Sequence, residues 1–432
     1  MSVGVRRLGF VAAIAATGVL VLGACSSGHS SGSKATSPVG NDTPTGDTSS
    51  SSTPTSKPSA PPATLTAKPA DGAANVSPTG PITVAVADGT LSSVTMTNAD
   101  GKAIKGAYNT SKSSWQAAES LGYSKTYKVT AKAVNADGKP VTKVSRFTTV
   151  TPDNMTMPNI DYIGGNALKN GATYGVGIVP VVHFDESISD KKAAEQALTV
   201  TTSPHVTGSW YWADDQNVHW RPQNFYKSGT KVSVSANVYG KQVSPGLYGQ
   251  ADAHVSFTIG AKQITTADDN APQVNKVRVY RNGKLIRTMN TSMGKHSGVT
   301  ANGKFIDFHT MQGTYTVIGH ENPAIMSSAS YGLPANGPGG YAPERIYLST
   351  KISTDGIYLH ELDTTVWAQD NGADVSHGCL NLNQENAQWY FDHSTIGDPV
   401  IVRHTDGPTI QVWQGGDWSV PWSKWVAGSA LH

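Results

Sequence analysis

Ser376-His377-Gly378-Cys379-Leu380-Asn381 gathers more reactive side chains than any other stretch of the chain. Only two cysteines are present, Cys25 and Cys379, so there is no disulfide framework and each thiol needs its own explanation. A buried structural cysteine has no use for a nearby histidine, whereas a nucleophilic one does. A free thiol with a pKa of about 8.5 is mostly protonated at neutral pH, and an imidazole beside it raises the reactive thiolate fraction. Gly378 is the permissive residue just before the thiol and lets the backbone turn so that the Cys379 amide faces a developing oxyanion. Two histidines compete for the role of base. His377 is the sequence neighbour, yet near neighbours in an extended segment point to different places. His360 ends a predicted strand over 356–360, far enough upstream for a second strand to fold back beside the first. A metal centre made of His360, His377 and Cys379 is disfavoured because structural zinc sites bring paired cysteines. No metal or other cofactor is expected.

The elements around these residues read as mainly β. From 64 to 150 the chain shows short alternating strands such as Ile82-Thr83-Val84-Ala85-Val86 and Tyr127-Lys128-Val129-Thr130-Ala131. The pentapeptide Asn-Ala-Asp-Gly-Lys occurs at 98–102 and again at 135–139 and predicts two hairpin turns. Such spacing predicts an immunoglobulin-like β-sandwich, and 151–260 has the same texture, with a short helix expected over 189–198. Trp210, Trp212 and Trp220 read as sandwich core, and His183, His205, His219 and His254 lack metal-ligand spacing. Neither block carries a catalytic cluster, and both read as spacers. The third block, 261–405, is β-rich with few helices. Asn282-Gly283 between alternating runs predicts a two-residue hairpin, and Asn383 is an N-cap for a helix starting at Gln384. The segment 406–432, with Trp413, Trp418, Trp422 and Trp425, is expected to pack on that third domain.

The spacing His360, fifteen residues, Ser376-His377-Gly378-Cys379-Leu380-Asn381 resembles the active-site motif of the L,D-transpeptidases. Ser292-Met293-Gly294-Lys295 and Thr300-Ala301-Asn302-Gly303 are similar to the segment after that family's first hairpin. Met326 with Ser330-Tyr331-Gly332 and Gly340-Tyr341 resembles the lid over its substrate cleft. Gly416-Asp417-Trp418-Ser419-Val420-Pro421-Trp422 is similar to the C-terminal segment of mycobacterial members, which are anchored proteins with two immunoglobulin-like domains before the catalytic one. The resemblance implies that Cys379 attacks the carbonyl of the third residue, a diamino acid, of a tetrapeptide stem, releasing D-Ala and forming a thioester. It makes His360 the general base and acid, with His377 the rival. Amides near Gly378 and Cys379, with the Tyr341 hydroxyl, would hold the oxyanion. Asn381, Met326, Tyr331 and Ser376 would shape the cleft. The amine of a neighbouring peptidoglycan stem would then resolve the thioester into a 3→3 cross-link, and carbapenems would acylate the same thiol. Water in place of the amine would make an L,D-carboxypeptidase, and a non-catalytic wall-binding lipoprotein is a third reading. One departure stands out: Glu361 follows the base histidine where many mycobacterial relatives have a small Ser. Its backbone carbonyl still serves to orient the imidazole, while its carboxylate would alter the charge on His360 or the lid contacts.

Residues 1–24 place Arg6-Arg7 before an apolar run from Phe10 to Leu22, too short for the ~20 residues a spanning helix needs and shaped like a secretory leader. Leu22-Gly23-Ala24-Cys25 resembles a lipobox, which implies lipidation of Cys25, export, and anchoring at the outer face of the plasma membrane. The stretch 25–63 is a linker rich in Ser, Thr and Pro that cannot bury enough apolar surface to order itself, with an r.m.s. span of roughly 35 Å. Arg6 and Arg7 account for the formal charge of +2, so the remainder is neutral with no basic patch, which argues against a nucleic-acid partner.

Overall fold

The structure is a computed structural model that describes residues 58–270 and 273–432. The leader, Cys25 and most of the linker fall outside them. Strand alternation builds the first sandwich: along Thr126–Val134 every second side chain, from Tyr127 to Ala133, is buried. One four-stranded sheet runs in the order Thr64–Lys68, Thr83–Ala87, Ser114–Ala117, Gly106–Tyr108, and the other in the order Ala73–Val76, Pro140–Thr149, Thr126–Val134, Thr90–Asn98. Trp115, Met96, Tyr127 and Phe147 fill the core between them. Both pentapeptide turns form as expected. Asn98 Oδ1 accepts the Lys102 amide at 2.8 Å and Asn135 Oδ1 the Lys139 amide at 2.9 Å. Gly101 and Gly138 take the left-handed conformation at φ 81° and 78° that closes each turn.

The second sandwich pairs a five-stranded with a four-stranded sheet. Trp210, Trp212 and Trp220 lie in its core, as their spacing indicated. The expected helix is shorter than its sequence window. It covers Lys191–Glu195, opened by Asp190 accepting the Ala193 amide, because the β-branched run Leu198–Ser203 joins a sheet instead.

In the third domain a five-stranded sheet has the order Lys284–Thr291, Asn275–Arg281, Gln263–Asp268, Pro399–Arg403, Gly313–Thr316. Asn282 and Gly283 make its first hairpin with φ of 52° and 80°, the left-handed pair a type I′ turn requires. The second sheet, Gly319–Glu321, Ser349–Lys351, Tyr358–Glu361, Leu380–Leu382, carries the motif. Helix Gln384–His393 covers the core and is capped by Asn383 accepting the Asn386 amide at 2.9 Å. Among the described residues no helix is long and apolar enough to cross a membrane.

Two expectations change. The second sandwich is wired into the third domain rather than acting as a spacer: the Gly175 and Gly177 amides donate to the Ile396 and Gly397 carbonyls, each at 2.8 Å. A Cβ on Gly175 would collide with the backbone of Gly397 and Asp398, so only glycine permits this approach. The C-terminal segment packs on the third domain through Ser419 Oγ, which accepts the Thr314 amide at 2.8 Å, but also reaches the second sandwich. Trp418 Nε1 donates to the Gly177 carbonyl, Trp425 Nε1 to the Ser209 carbonyl, and the Arg221 guanidinium lies 4.5–5.3 Å from the Trp418, Trp422 and Trp425 rings. His219, read from sequence as an ordinary histidine, meets buried Asp417 at 2.6 Å. The reason is geometric: Arg221 of the second sandwich lies among these rings, and His219 beside it meets Asp417. Gly175→Ala should therefore destabilise the protein by about 1–3 kcal/mol through forced separation of backbones. Urea denaturation followed by tryptophan fluorescence checks this, and an unchanged midpoint would show that the interface yields freely.

Candidate active site

Cys379 stands just before a strand whose register is fixed. Leu380–Leu382 runs parallel to Tyr358–Glu361, pairing Leu359 with Leu380 and His360 with Asn381. The thiol thereby falls at the level of Tyr358, one alternation from His360 along the neighbouring strand. The turn that delivers it is closed by its own side chain: Ser376 Oγ donates to the Cys379 carbonyl at 2.7 Å and accepts the Gly378 amide at 3.0 Å. Gly378 has φ of 122°, a conformation that strains any residue with a Cβ. Its carbonyl accepts from Thr310 Oγ1 at 3.0 Å, and the same hydroxyl accepts the Gly294 amide at 2.9 Å. The segment Ser292-Met293-Gly294-Lys295 zips along this turn. The Ser376 amide donates to the Met293 carbonyl and the Lys295 amide to the Ser376 carbonyl, each at 3.0 Å. Gly294 must be glycine because a Cβ would enter the backbone of Phe308 and Thr310.

His360 is buried, and its Nδ1 lies 2.9 Å from the Glu361 carbonyl. A carbonyl only accepts, so Nδ1 carries the proton and Nε2 keeps a lone pair. Burial pushes the imidazole down to about 4, against the Glu361 hydrogen bond that favours its charged form. The Glu361 carboxylate faces away from this exchange and accepts the Asp363 amide at 3.0 Å. Burial likewise pushes the Cys379 thiol up to about 11, opposed by a hydrogen bond from the Tyr358 amide and reinforced by nearby Asp355. The protonated thiol donates to the Gly356 carbonyl at 3.6 Å. Both reactive groups rest neutral.

The lid closes over them. Ala324–Met326 pairs with Glu344–Ile346, and between them Ser328 Oγ donates to the Tyr341 carbonyl and accepts its amide, both at 2.9 Å. Met326, half-buried, ends the first lid strand. The Tyr341 and Tyr331 rings lie 5.4 and 6.3 Å from the His377 ring, which meets Phe308 edge-on at 4.4 Å. Burial raises both phenols, and a charge on Cys379 raises them further, which puts the lid within electrostatic reach of the thiol. His377 is depressed by burial, then by Lys295, and hydrogen-bonds the Gly339 backbone, which ties it to the segment carrying Tyr341. Tyr331 Oη, His377 Nε2 and both amide atoms of Asn381 are buried without a hydrogen-bond partner. Native proteins rarely strand such groups, and a cleft awaiting a polar ligand explains them.

Sequence reasoning did not reach Thr310, Gly356 or Asp355. The last accepts from Ser353 Oγ and from Gln414 Nε2, each at 2.6 Å, which fastens the loop behind the thiol to the C-terminal segment. Nothing in spacing marks Thr310. Gly356 reads from sequence as the first residue of the strand over 356–360, but the strand begins at Tyr358 and Gly356 lies in the loop before it.

The arrangement sets a thiol and a neutral imidazole on neighbouring strands, with Tyr331 and Tyr341 beside the same turn. The chain matches the family model for the L,D-transpeptidase catalytic domain over residues 269–402 and that for a bacterial Ig domain over 73–242. It is 40% identical over 367 residues to L,D-transpeptidase 2 of Mycobacterium tuberculosis (strain CDC 1551 / Oshkosh), covering 85% of each chain. With L,D-transpeptidase 5 of Mycobacterium tuberculosis (strain ATCC 25618 / H37Rv) it shares 36% identity over 381 residues, 85% of this chain and 77% of that one. Among solved structures, that of LD transpeptidase LdtMt1 in complex with imipenem covers 57% of this chain and 99% of its own at 30% identity, with a TM-score of 0.45. The chain belongs to the L,D-transpeptidase family and is a peptidoglycan transpeptidase with immunoglobulin-like sandwiches ahead of its catalytic domain.

Because burial raises the thiol, its thiolate fraction at neutral pH lies below that of a free cysteine and keeps climbing toward its pKa. Alkylation of Cys379 by iodoacetamide should therefore still accelerate between about pH 8 and about pH 10, where an ordinary cysteine levels off. A plateau below that window, read by mass spectrometry of the quenched protein, would mean a resting thiolate.

Proposed function

We propose that Cys379 is the nucleophile and His360 the proton carrier in a 3→3 cross-linking reaction. The observation that carries this reading is a half-buried thiol one strand alternation from a neutral histidine whose Nδ1 is locked on the Glu361 carbonyl. His360 Nε2 takes the thiol proton as sulfur attacks the carbonyl of the third stem residue. The Cys379 amide and the Tyr341 hydroxyl face the oxyanion. The Gly378 amide, expected to share that task, is already held by Ser376 Oγ. Collapse expels the amine of D-Ala, which takes the proton from His360 and leaves a thioester. The side-chain amine of a second stem then attacks that thioester, His360 accepts its proton and returns it to sulfur, and an amide replaces the thioester. Asn381, Tyr331 and Ser376, with Met326 on the lid, shape the cleft for the stem. A carbapenem ring opening on the same sulfur would give a stable acyl-enzyme.

Incubation with a disaccharide-tetrapeptide should give a dimer lighter by one D-Ala, detected by mass spectrometry. Cys379→Ala should abolish it, and His360→Ala should slow it by about a thousandfold. Tripeptide monomer alone would make the enzyme a carboxypeptidase. Loss of acylation in His377→Ala but not in His360→Ala would reverse the base assignment.

The reading also places the enzyme outside the plasma membrane on a lipid at Cys25, with 25–63 as its tether, supported by the leader and lipobox residues. Cys25→Ser should move the protein from the membrane fraction to the medium or soluble fraction. Retention in the membrane would overturn the anchor.

A further inference from the structure

Beside the motif segment, three residues distant in sequence meet. Asp269 follows the central strand Gln263–Asp268, His296 follows the strand Lys284–Thr291, and Asp374 precedes the Ser376–Cys379 turn. His296 Nε2 lies 2.7 Å from Asp269 Oδ2 and 3.5 Å from Asp374 Oδ2, and the three donor atoms all fall within 4.8 Å of one another. The Asp269 and Asp374 side chains are only 2% and 4% exposed. Asp374 Oδ1 is fully used, accepting the Met293 amide at 2.5 Å and Asn275 Nδ2 at 2.9 Å. Its other oxygen, Oδ2, is buried with no hydrogen-bond donor and faces His296.

One N–H on His296 cannot serve two carboxylates, and it is spent on Asp269 at the shorter distance. We propose that Asp269, His296 and Asp374 bind a first-row divalent cation, of the class of Mn²⁺ or Zn²⁺. Two carboxylate oxygens and an imidazole nitrogen suit these ions better than Ca²⁺ or Mg²⁺, which take oxygen alone. Bonds of about 2.1 Å set neighbouring ligand atoms of a tetrahedral ion roughly 3.4 Å apart. The Asp374–His296 separation already matches, and the Asp269–His296 contact opens to it when the shared proton gives way to the metal. The His296 side chain, 37% exposed, offers the entry path and room for a completing water. Burial raises the Asp374 carboxyl, with Asp269 adding to the rise, which is the cost a cation removes. His309, paired with Asp307 at 2.6 Å, stacks beside His296 at 5.2 Å between ring centres and carries its own counter-charge, so it does not supply the missing positive charge. Bound there, the ion would brace the backbone that leads into the Ser376–Cys379 turn without touching the reacting atoms.

The test uses the full chain carrying Cys25→Ser and Cys379→Ala, so that no thiol competes for metal. Mn²⁺ is added and the free-ion signal followed by electron paramagnetic resonance. One Mn²⁺ per chain should disappear from the free signal and return when equimolar Zn²⁺ displaces it, following the order of divalent affinities. His296→Gln, at a partly exposed position that leaves the fold intact by circular dichroism, should weaken binding by at least about a hundredfold, and Asp374→Asn should do the same. Absence of Mn²⁺ uptake at millimolar concentration, or uptake unchanged in His296→Gln, would overturn the proposal and leave the cluster as an ion pair sharing a proton.

Discussion

The register between two short parallel strands sets everything else in the active site. Only three residue pairs join Tyr358–Glu361 to Leu380–Leu382, and a slip of one would turn either Cys379 or His360 to the opposite face of the sheet. Three pairs are too few to hold that register alone. It is reinforced from the far side, where the Asn381 amide donates to the Ser292 carbonyl at 2.9 Å and Thr291 Oγ1 donates to the Asn381 carbonyl at 3.0 Å. Gly294, Thr310 and Gly378 then form a chain of hydroxyl and backbone contacts that leaves the turn one conformation. A catalytic turn of this kind stores its precision in glycines, because each permits either a close approach or a left-handed φ that side chains forbid.

Electrostatically the resting site is quiet. Burial disfavours charge on the thiol and on the imidazole alike, so the pair meets a substrate as neutral donor and neutral base rather than as a preformed ion pair. In the proposed reaction negative charge appears only as the sulfur attacks, beside Tyr331 and Tyr341, whose phenols sense a charge on Cys379. Donors aimed at charge that exists only during reaction are the economical way to lower a barrier, since they give nothing to the ground state. The unpaired polar atoms of Tyr331, His377 and Asn381 belong to the same logic.

Much of this was legible in the sequence because the informative residues are local. Asn-Ala-Asp-Gly-Lys, Asn282-Gly283 and Asn383 act through bonds to neighbours a few positions away, and each forms the turn or cap its chemistry requires. The motif around Cys379 is equally local and led to the family. What escaped was non-local. Gln263–Asp268 drew no strand assignment from sequence, yet it is central in its sheet because Pro399–Arg403 returns beside it from more than a hundred residues away. Thr310 is one threonine among many until Gly294 and Gly378 close on it. The reach of the C-terminal tryptophans depends on Arg221, and no pattern in either segment announces the other.

The bond between Gln414 and Asp355 gives the order of chain emergence a meaning. The loop that offers Gly356 to the thiol is fastened by residues that leave the ribosome after Cys379 does, and the same segment seats Asp417 against His219 of a sandwich that emerged long before. Cys379 and His360 can pair before that closure, but the wall behind the sulfur cannot. The surroundings of the thiol are thus completed late, as a property of the closed assembly of second sandwich and catalytic domain.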